Sequence, residues 1–425
     1  VKLSTNGRIL AGLVLGGLAG VAANLLWRGA PRLEWLVGNL TDPIGQLFLR
    51  LLLMVVVPLV FATLVVGITT LGGMRDLGRI GLKTLGLYLG LALVGALLGL
   101  ILAGMARPGQ VVTAELRSTL LASVEAGAQL APAAGLGPRT LVDVVPANPV
   151  AAAANDQLLA LLFFTLVFGT ALAAVPPARA APVLRVLEGV GEASGVIVGF
   201  AMKLAPIGVA ALAFSGFARF GLEFLRPLAA YVAVVIGGLA LLLFGGYALV
   251  VRLLAKASPA WFFGRSHPAL VTALATASSN ATLPTTLRVA REGLGLPAGV
   301  AGFVIPLGAS LSRSGTALFE AATAIFLAQA LGVEVSLLTQ GLVVVMATLT
   351  AVAAGGVPSG AIPLLATVVG SAGVPTGAIA LILGVEPILS MARTVPNVGG
   401  ALLTTLLLGG RPTGRAGGEG GGSAK

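Results

Sequence analysis

The chain has 425 residues, of which 57% are hydrophobic and only 10% charged, and its mean hydropathy is +1.03. So few charges cannot clothe a soluble protein of this size, and so apolar a chain is not low-complexity disorder. What remains is a polytopic membrane protein with room for about eight spans of the ~20 residues a bilayer needs.

The net charge of +11 comes from Lys and Arg in short segments between apolar runs. There is no basic stripe and no interleaved aromatic set, so the charge reads as a topology signal and no nucleic-acid partner is expected. Cysteine is absent and His267 is the single histidine. Disulfides and thiol chemistry are therefore excluded, and a histidine-based metal site or triad has no ligands to use.

Charges punctuate the first half. Apolar runs lie between Arg8 and Arg28, Arg50 and Arg75, Lys83 and Arg107, and Asp156 and Arg179. Two more run from about Ser194 to Ala218, broken by Lys203, and from Arg226 to Arg252. Each matches one bilayer crossing. The first, Ile9 to Trp27, lacks a small-residue cleavage site and is expected to be a span, not a signal peptide. Val111 to Asn148 reads as a long outer loop. Pro58 is expected to kink its helix, and glycine pairs such as Gly16-Gly17 and Gly237-Gly238 to permit close helix approach.

The second half differs. His267 to Leu287 is uncharged but carries Thr276, Ser278, Ser279, Asn280 and Pro284. That pattern fits a re-entrant hairpin with a polar tip, because irregular backbone at membrane depth is tolerated only inside protein or beside water. His267 is placed at the hairpin's cytoplasmic start. Leu296 to Phe326 holds Pro306, Gly308, Ser310, Ser312, Arg313, Ser314, Gly315 and Thr316 near its middle, as a span broken at mid-membrane would. No charge falls between Glu334 and Glu386. This stretch fits a second hairpin, tipped at Ala354 to Gly360, that runs into a last span from about Ala378 to Leu408. Two polar hairpins, each followed by an interrupted or polar span, are the pattern of repeated units in secondary transporters.

Basic flanks such as Arg75, Arg79, Lys83, Arg252, Lys256 and Arg265 outnumber those on the other side, such as Arg28, Arg107, Arg139 and Arg219. Both termini are therefore expected in the cytoplasm, in an inner membrane. The Gly-rich tail from Arg411 is expected to be disordered.

Four charges stand inside the second half: Arg313, Glu320, Glu386 and Arg393. Each costs about 2.5–3.5 kcal/mol at mid-membrane, so it is paired or functional. Ser390, Arg393, Thr394 and Asn397 follow i, i+3, i+4, i+7 and share a helix face. A guanidinium there suits a carboxylate; the alternative is a salt bridge to Glu386. No nucleophile–base pair and no Walker motif is present, which argues against an enzyme and against ATP-driven transport.

Across nearly its whole length the chain resembles the dicarboxylate/amino acid:cation symporter family, the glutamate-transporter fold. The resemblance rests on LFLRLLLMVVVPLVF at 47–61, SSNATLP at 278–284, PLGAS at 306–310, GTALFE at 315–320, GVP at 356–358, ART at 392–394 and NV at 397–398. It implies an all-α membrane protein with eight transmembrane helices and two re-entrant helical hairpins as inverted repeats, in a homotrimer with no cofactor. Residues 1–75 would form scaffold and trimerisation spans, 76–107 the third span, and 108–225 the outer loop and two scaffold spans. Residues 226–410 would complete a transport domain that moves like an elevator, and 411–425 a cytoplasmic tail. Arg393 would hold a distal substrate carboxylate. Asn397, Thr394, Thr316, Ser278, Ser279, Val357 and Gly360 would line the rest of the site, with Glu386 as a partner behind it.

The departures narrow the substrate. Amino-acid carriers of the family have Asp where this chain has Ser390; C4-dicarboxylate carriers have Ser. Without that charge an ammonium would be buried and poorly paired. A small organic anion, first a C4-dicarboxylate, is the expected ligand. The family's Asn-Met-Asp-Gly-Thr reads Ser312-Arg313-Ser314-Gly315-Thr316 here, and a late sodium-binding Asp reads Ala401. Tyr88 remains, but its neighbours read Leu91 and Ala92. Two of three sodium sites are thus expected to be lost; the third uses mainly backbone carbonyls, on which the sequence is silent.

Arg313 is read as a stand-in for sodium, or else as snorkelling or ion-paired. Glu320 sits where excitatory amino-acid transporters carry a proton, and its alternative role is a permanent pair with Arg313 or Arg393. Lys203, before Pro206, resembles a snorkelling position. The competing functions are an acidic or neutral amino-acid symporter and, in another class, an anion channel.

Overall fold

The computed structural model describes residues 5–27, 30–55, 78–113, 145–155, 158–353 and 361–410, with 57–59, 61–62, 65–66, 69, 117–118 and 120–121 between them. Every regular element among the described residues is helical, and six stretches are long and apolar enough to cross a membrane.

Helix α1 (Thr5–Trp27) is followed by α2 (Pro31–Leu36), which runs through a π-turn at Val37–Thr41 into α3 (Asp42–Leu53). Helix α4 (Gly78–Ala106) ends at Arg107, whose left-handed φ of 46° turns the chain into a 3-10 turn, Pro108–Val111. Asn148 caps α5 (Pro149–Ala154), its Oδ1 accepting from the N–H groups of Val150 and Ala151. Then come α6 (Leu158–Ala174), one of the shorter apolar helices, and α7 (Pro177–Phe220).

The span expected from about Ser194 begins much earlier. Helix α7 has 44 residues, about 66 Å at 1.5 Å per residue, twice a bilayer core. Its start falls at Pro177, where the missing N–H is no loss. Arg185 and Glu188, one turn apart, then suit a solvated helix face, and neither Pro182 nor Pro206 interrupts the helix.

Helix α8 (Leu225–Ala240) passes through a π-turn at Leu241–Tyr247 into α9 (Ala248–Leu253). Helices α10 (Pro259–Thr276) and α11 (Ser279–Arg288) pack against each other about a two-residue turn. Ala277 takes the left-handed conformation there, φ 49°, and Ser278 caps α11 by accepting from the Ala281 N–H. His267 is exposed in the middle of α10 and not at its start.

Helix α12 (Ala298–Leu311) stops at Ser312, and α13 (Ser314–Leu331) starts after Arg313. Helices α14 (Leu337–Ala353) and α15 (Ala361–Ser371) also pack together. Their expected tip at 354–360, with Val357 and Gly360, lies outside the described residues, as do the tail from Arg411 and most of the outer loop. A 3-10 turn, Thr376–Leu381, precedes α16 (Glu386–Gly409). The last helix thus begins about eight residues later than the apolar pattern suggested, because Pro387 belongs in a first turn.

Two groups of helices result. Helices α1 and α3 pack on α7. Helix α13 lies at the centre of the second group, against α4, α8, α14, α15 and α16, while α10 and α12 lie along α16.

Candidate functional site

Three side chains make the break between α12 and α13 possible. Each helix end leaves backbone groups without intrahelical partners, which in a dry interior must be bonded by something else. At the start of α13, Asn397 of α16 supplies the acceptor: its Oδ1 takes hydrogen bonds from the N–H groups of Gly315 at 2.9 Å and Thr316 at 3.4 Å. Its Nδ2 donates to Thr316 Oγ1 at 3.0 Å. At the end of α12, Arg313 supplies donors: Nε to Ser310 O at 3.0 Å and Nη2 to Ala309 O at 2.8 Å. Ser312 Oγ donates to Asn397 O at 2.7 Å, tying the gap to α16. Gly315 is required, since a Cβ there would collide with the carbonyl oxygen of Arg393.

Arg393 projects from α16 beside this junction and is 4% exposed. Its Nη2 donates to Glu386 Oε1 at 2.7 Å and to Ser390 Oγ at 3.2 Å. The guanidinium carbon stands 4.5 Å from the centroid of the Phe319 ring on α13, a cation–π contact. Its Nη1 is buried and has no partner among the described residues. The salt bridge to Glu386 and an anion-binding role are therefore compatible, because they use different nitrogens.

Glu320, fully buried on α13, accepts from Thr350 Oγ1 of α14 at 2.7 Å, while its Oε1 has no partner. It forms no ion pair with either arginine; among the described residues the ion pairs are Asp42–Arg219 and Glu386–Arg393. Arg313, partly exposed, has no carboxylate within ion-pairing distance among the described residues, and its guanidinium caps α12.

Of the remaining candidates, Thr394, Tyr88, Ser314 and Ala401 lie on the helices that meet at this junction. Thr394 Oγ1 bonds its own helix at Ser390 O. Tyr88 on α4 donates to Val304 O at 2.8 Å, and its hydroxyl and Ala401 crowd the space above Gly308. Ser314 bonds the hydroxyl of Tyr247, which also donates to Pro396 O at 2.9 Å. Ser279 is buried with its Oγ unpartnered, at the head of α11, which packs on α16. No bond joins Ser278 or Ser279 to Arg393 or Asn397.

Sequence reasoning missed Phe319, Thr350 and Tyr247. A signal existed for Tyr247: the chain has three tyrosines, each in an apolar run where a hydroxyl needs a partner. All three are buried and bonded, Tyr231 to Thr323.

The sodium:dicarboxylate symporter family profile matches residues 6–410. The chain belongs to that family. It is 33% identical over 411 residues to a proton/glutamate-aspartate symporter of Escherichia coli (strain K12), covering 96% of this chain and 93% of the relative. It is 32% identical over 410 residues to a proton/sodium-glutamate symport protein of Bacillus subtilis (strain 168), covering 96% and 92%. It is 33% identical over 396 residues to a C4-dicarboxylate transport protein of Anaeromyxobacter sp. (strain K), covering 92% and 86%.

The family is one of membrane transporters and not of enzymes, in agreement with the reading of composition and motifs. Membership in the sodium:dicarboxylate symporter family leaves two substrate classes, dicarboxylates and acidic amino acids, and leaves the coupling ion to the site itself.

Proposed function

We propose that this protein is an elevator-type secondary carrier for a small organic dianion, first a C4-dicarboxylate, and that it works without sodium. One observation carries the reading: a guanidinium nitrogen, Arg393 Nη1, lies buried without a partner among the described residues, on the helix that also carries Ser390 and Asn397. A buried, unbonded donor costs about 1–3 kcal/mol, more when charged, and an incoming carboxylate would recover it. The second hydrogen on Asn397 Nδ2 and the free hydroxyl of Ser279 are further donors for an anion. Ser390 brings no charge for an ammonium, and Glu386 is already paired with Arg393. The C4-dicarboxylate transport relatives support this choice.

The scaffold would be α1, α3 and α7 with α6. The moving part would be α4 and α8 to α16, with α10–α11 and α14–α15 as the re-entrant hairpins, in a trimer in the inner membrane with cytoplasmic termini. Protons are the remaining candidate for coupling, with Glu320 as carrier, in keeping with the proton symporters among the relatives.

A second reading has its own support. The unpartnered Glu320 Oε1 is one turn from Thr316 and would give an ammonium an acceptor, and several relatives are glutamate symporters. Uptake of labelled succinate into proteoliposomes in sodium-free choline buffer, with succinate, fumarate, aspartate and glutamate as competitors, separates the two. Dicarboxylates are expected to compete and amino acids not. Preference for aspartate would favour the second reading, a steep sodium dependence would sink the sodium-free one, and unsaturable conductance would mean a channel. Glu320→Gln is expected to abolish the response to an imposed pH gradient; an unchanged response excludes Glu320 as the proton carrier.

A further inference from the structure

We infer that Arg313 is a built-in charge-balancing cation: its guanidinium occupies the carbonyl-lined end of a broken helix, the kind of place where secondary transporters hold a mobile cation. The inference rests on the dicarboxylate reading above and goes a step further, assigning a residue to the charge that a coupling ion supplies.

Half-helix C-termini and unwound carbonyls attract cations, because the last carbonyls carry the negative end of the helix dipole and have no intrahelical partners. At the end of α12 those carbonyls are Ala309 O and Ser310 O, and both accept from Arg313. The neighbouring oxygens are also taken. Asn397 O accepts from Ser312 Oγ, Pro396 O from Tyr247, and Val304 O from Tyr88.

A sodium ion requires several hard oxygen ligands, preferably with a carboxylate among them. The side chains at the break are Ser312, Arg313, Ser314, Thr316 and Asn397, with Ala401 nearby; none is a carboxylate, and Asn397 Oδ1 is already taken by the Gly315 and Thr316 N–H groups. Glu320 bonds Thr350 and Glu386 bonds Arg393, so neither buried carboxylate serves the break. These residues do not fit sodium. They fit a resident monovalent cation covalently attached to the chain.

The charge balance gives the guanidinium its use. Glu386 offsets Arg393, whereas Arg313 has no carboxylate within ion-pairing distance among the described residues. Its charge is therefore available to offset one of the two negative charges of a bound dicarboxylate. A free ion would have to be recruited with each substrate and released afterwards; a tethered one is always present and couples nothing.

Replacing the side chain separates charge from hydrogen bonding. Arg313→Gln keeps an amide donor for the α12 carbonyls but removes the charge; Arg313→Lys keeps the charge without the planar fork. The assay is succinate uptake by the reconstituted full chain in choline buffer, with and without added guanidinium chloride or sodium chloride. Arg313→Gln is expected to fall by about tenfold or more, within the usual range of site-to-site coupling, and to be restored by guanidinium, with sodium as the control that does not restore it. By the same linkage, succinate must tighten the binding of the rescuing cation to the variant. Arg313→Lys is expected to stay cation-independent.

Wild-type uptake by Arg313→Gln in choline overturns the inference, as does a loss that guanidinium does not repair, since either makes Arg313 a helix cap and nothing more. If Arg313→Gln does not fold, Arg313→Lys decides: folded and active in choline it supports the assignment, folded and inactive it refutes it. Failure here leaves the dicarboxylate reading intact, because that reading is tested on the wild-type chain.

Discussion

Two helix pairs in this protein cross on glycine stripes. On α1, Gly12, Gly16 and Gly20 leave room for the carbonyls of Pro206, Ala210 and Phe214 on α7; on α4, Gly95 and Gly99 do the same for Ser314 and Leu318 on α13. Four-residue spacing on both partners lets the backbones meet in each case. Their surroundings differ. Only 33% of the apolar window in the α7 stretch is buried, against 94% in the α12–α13 stretch. Proline occurs in both, yet α7 continues through Pro182 and Pro206 while the second stretch parts at Ser312, six residues after Pro306. Proline alone therefore does not break a membrane helix. A break needs side chains that take over the freed backbone groups, and only the α12–α13 stretch has them, in Arg313, Ser312 and Asn397.

The largest effect is expected from Asn397→Leu, which strands the Gly315 and Thr316 N–H groups. We expect about 3 kcal/mol of destabilisation and loss of uptake, read by thermal unfolding in detergent and by succinate transport. A stable variant would show that the break is not held by side chains. Next is Gly16→Leu, whose Cβ would overlap the Ala210 carbonyl. It is expected to cost about 2 kcal/mol by overpacking while leaving the KM for succinate unchanged, because no site residue touches that crossing. A changed KM would erase the distinction between the two pairs. Phe319→Leu removes the ring under Arg393 and is expected to weaken succinate binding by about 1 kcal/mol, measurable by calorimetry. The smallest effect on transport belongs to Pro206→Ala, which gives α7 back an interior N–H without touching a site residue and is expected to leave uptake unaltered. A large loss of transport would mean that this proline does more than sit in a continuous helix.

The contrast also explains what could be read from sequence. The break was legible because Ser312, Arg313, Ser314 and Gly315 have no place in a lipid-facing helix, and the turn between α10 and α11 because of Thr276 to Asn280. The length of α7 was not, since Arg185, Glu188 and Glu192 look like a loop in a hydropathy pattern yet suit the solvated face of a helix leaving the bilayer. At the site, Arg393 and Asn397 were singled out by their cost inside a membrane. Their actual partners were not: Phe319, Thr350 and Tyr247 meet their targets across 30 or more residues of chain, and no local spacing encodes that. Asn397 was read as a ligand group, whereas most of its amide is spent holding α13.

That amide has a mechanical consequence. With Gly315 and Thr316 on the amide and Ser312 on the main-chain carbonyl of the same residue, Asn397 fastens two helices at one point, on both sides of the interruption. Prising them apart would leave at least two amide protons facing hydrocarbon, so this seam is a weld and not a hinge. Any movement of α13 against the rest of the chain therefore has to carry α16 along with it as cargo.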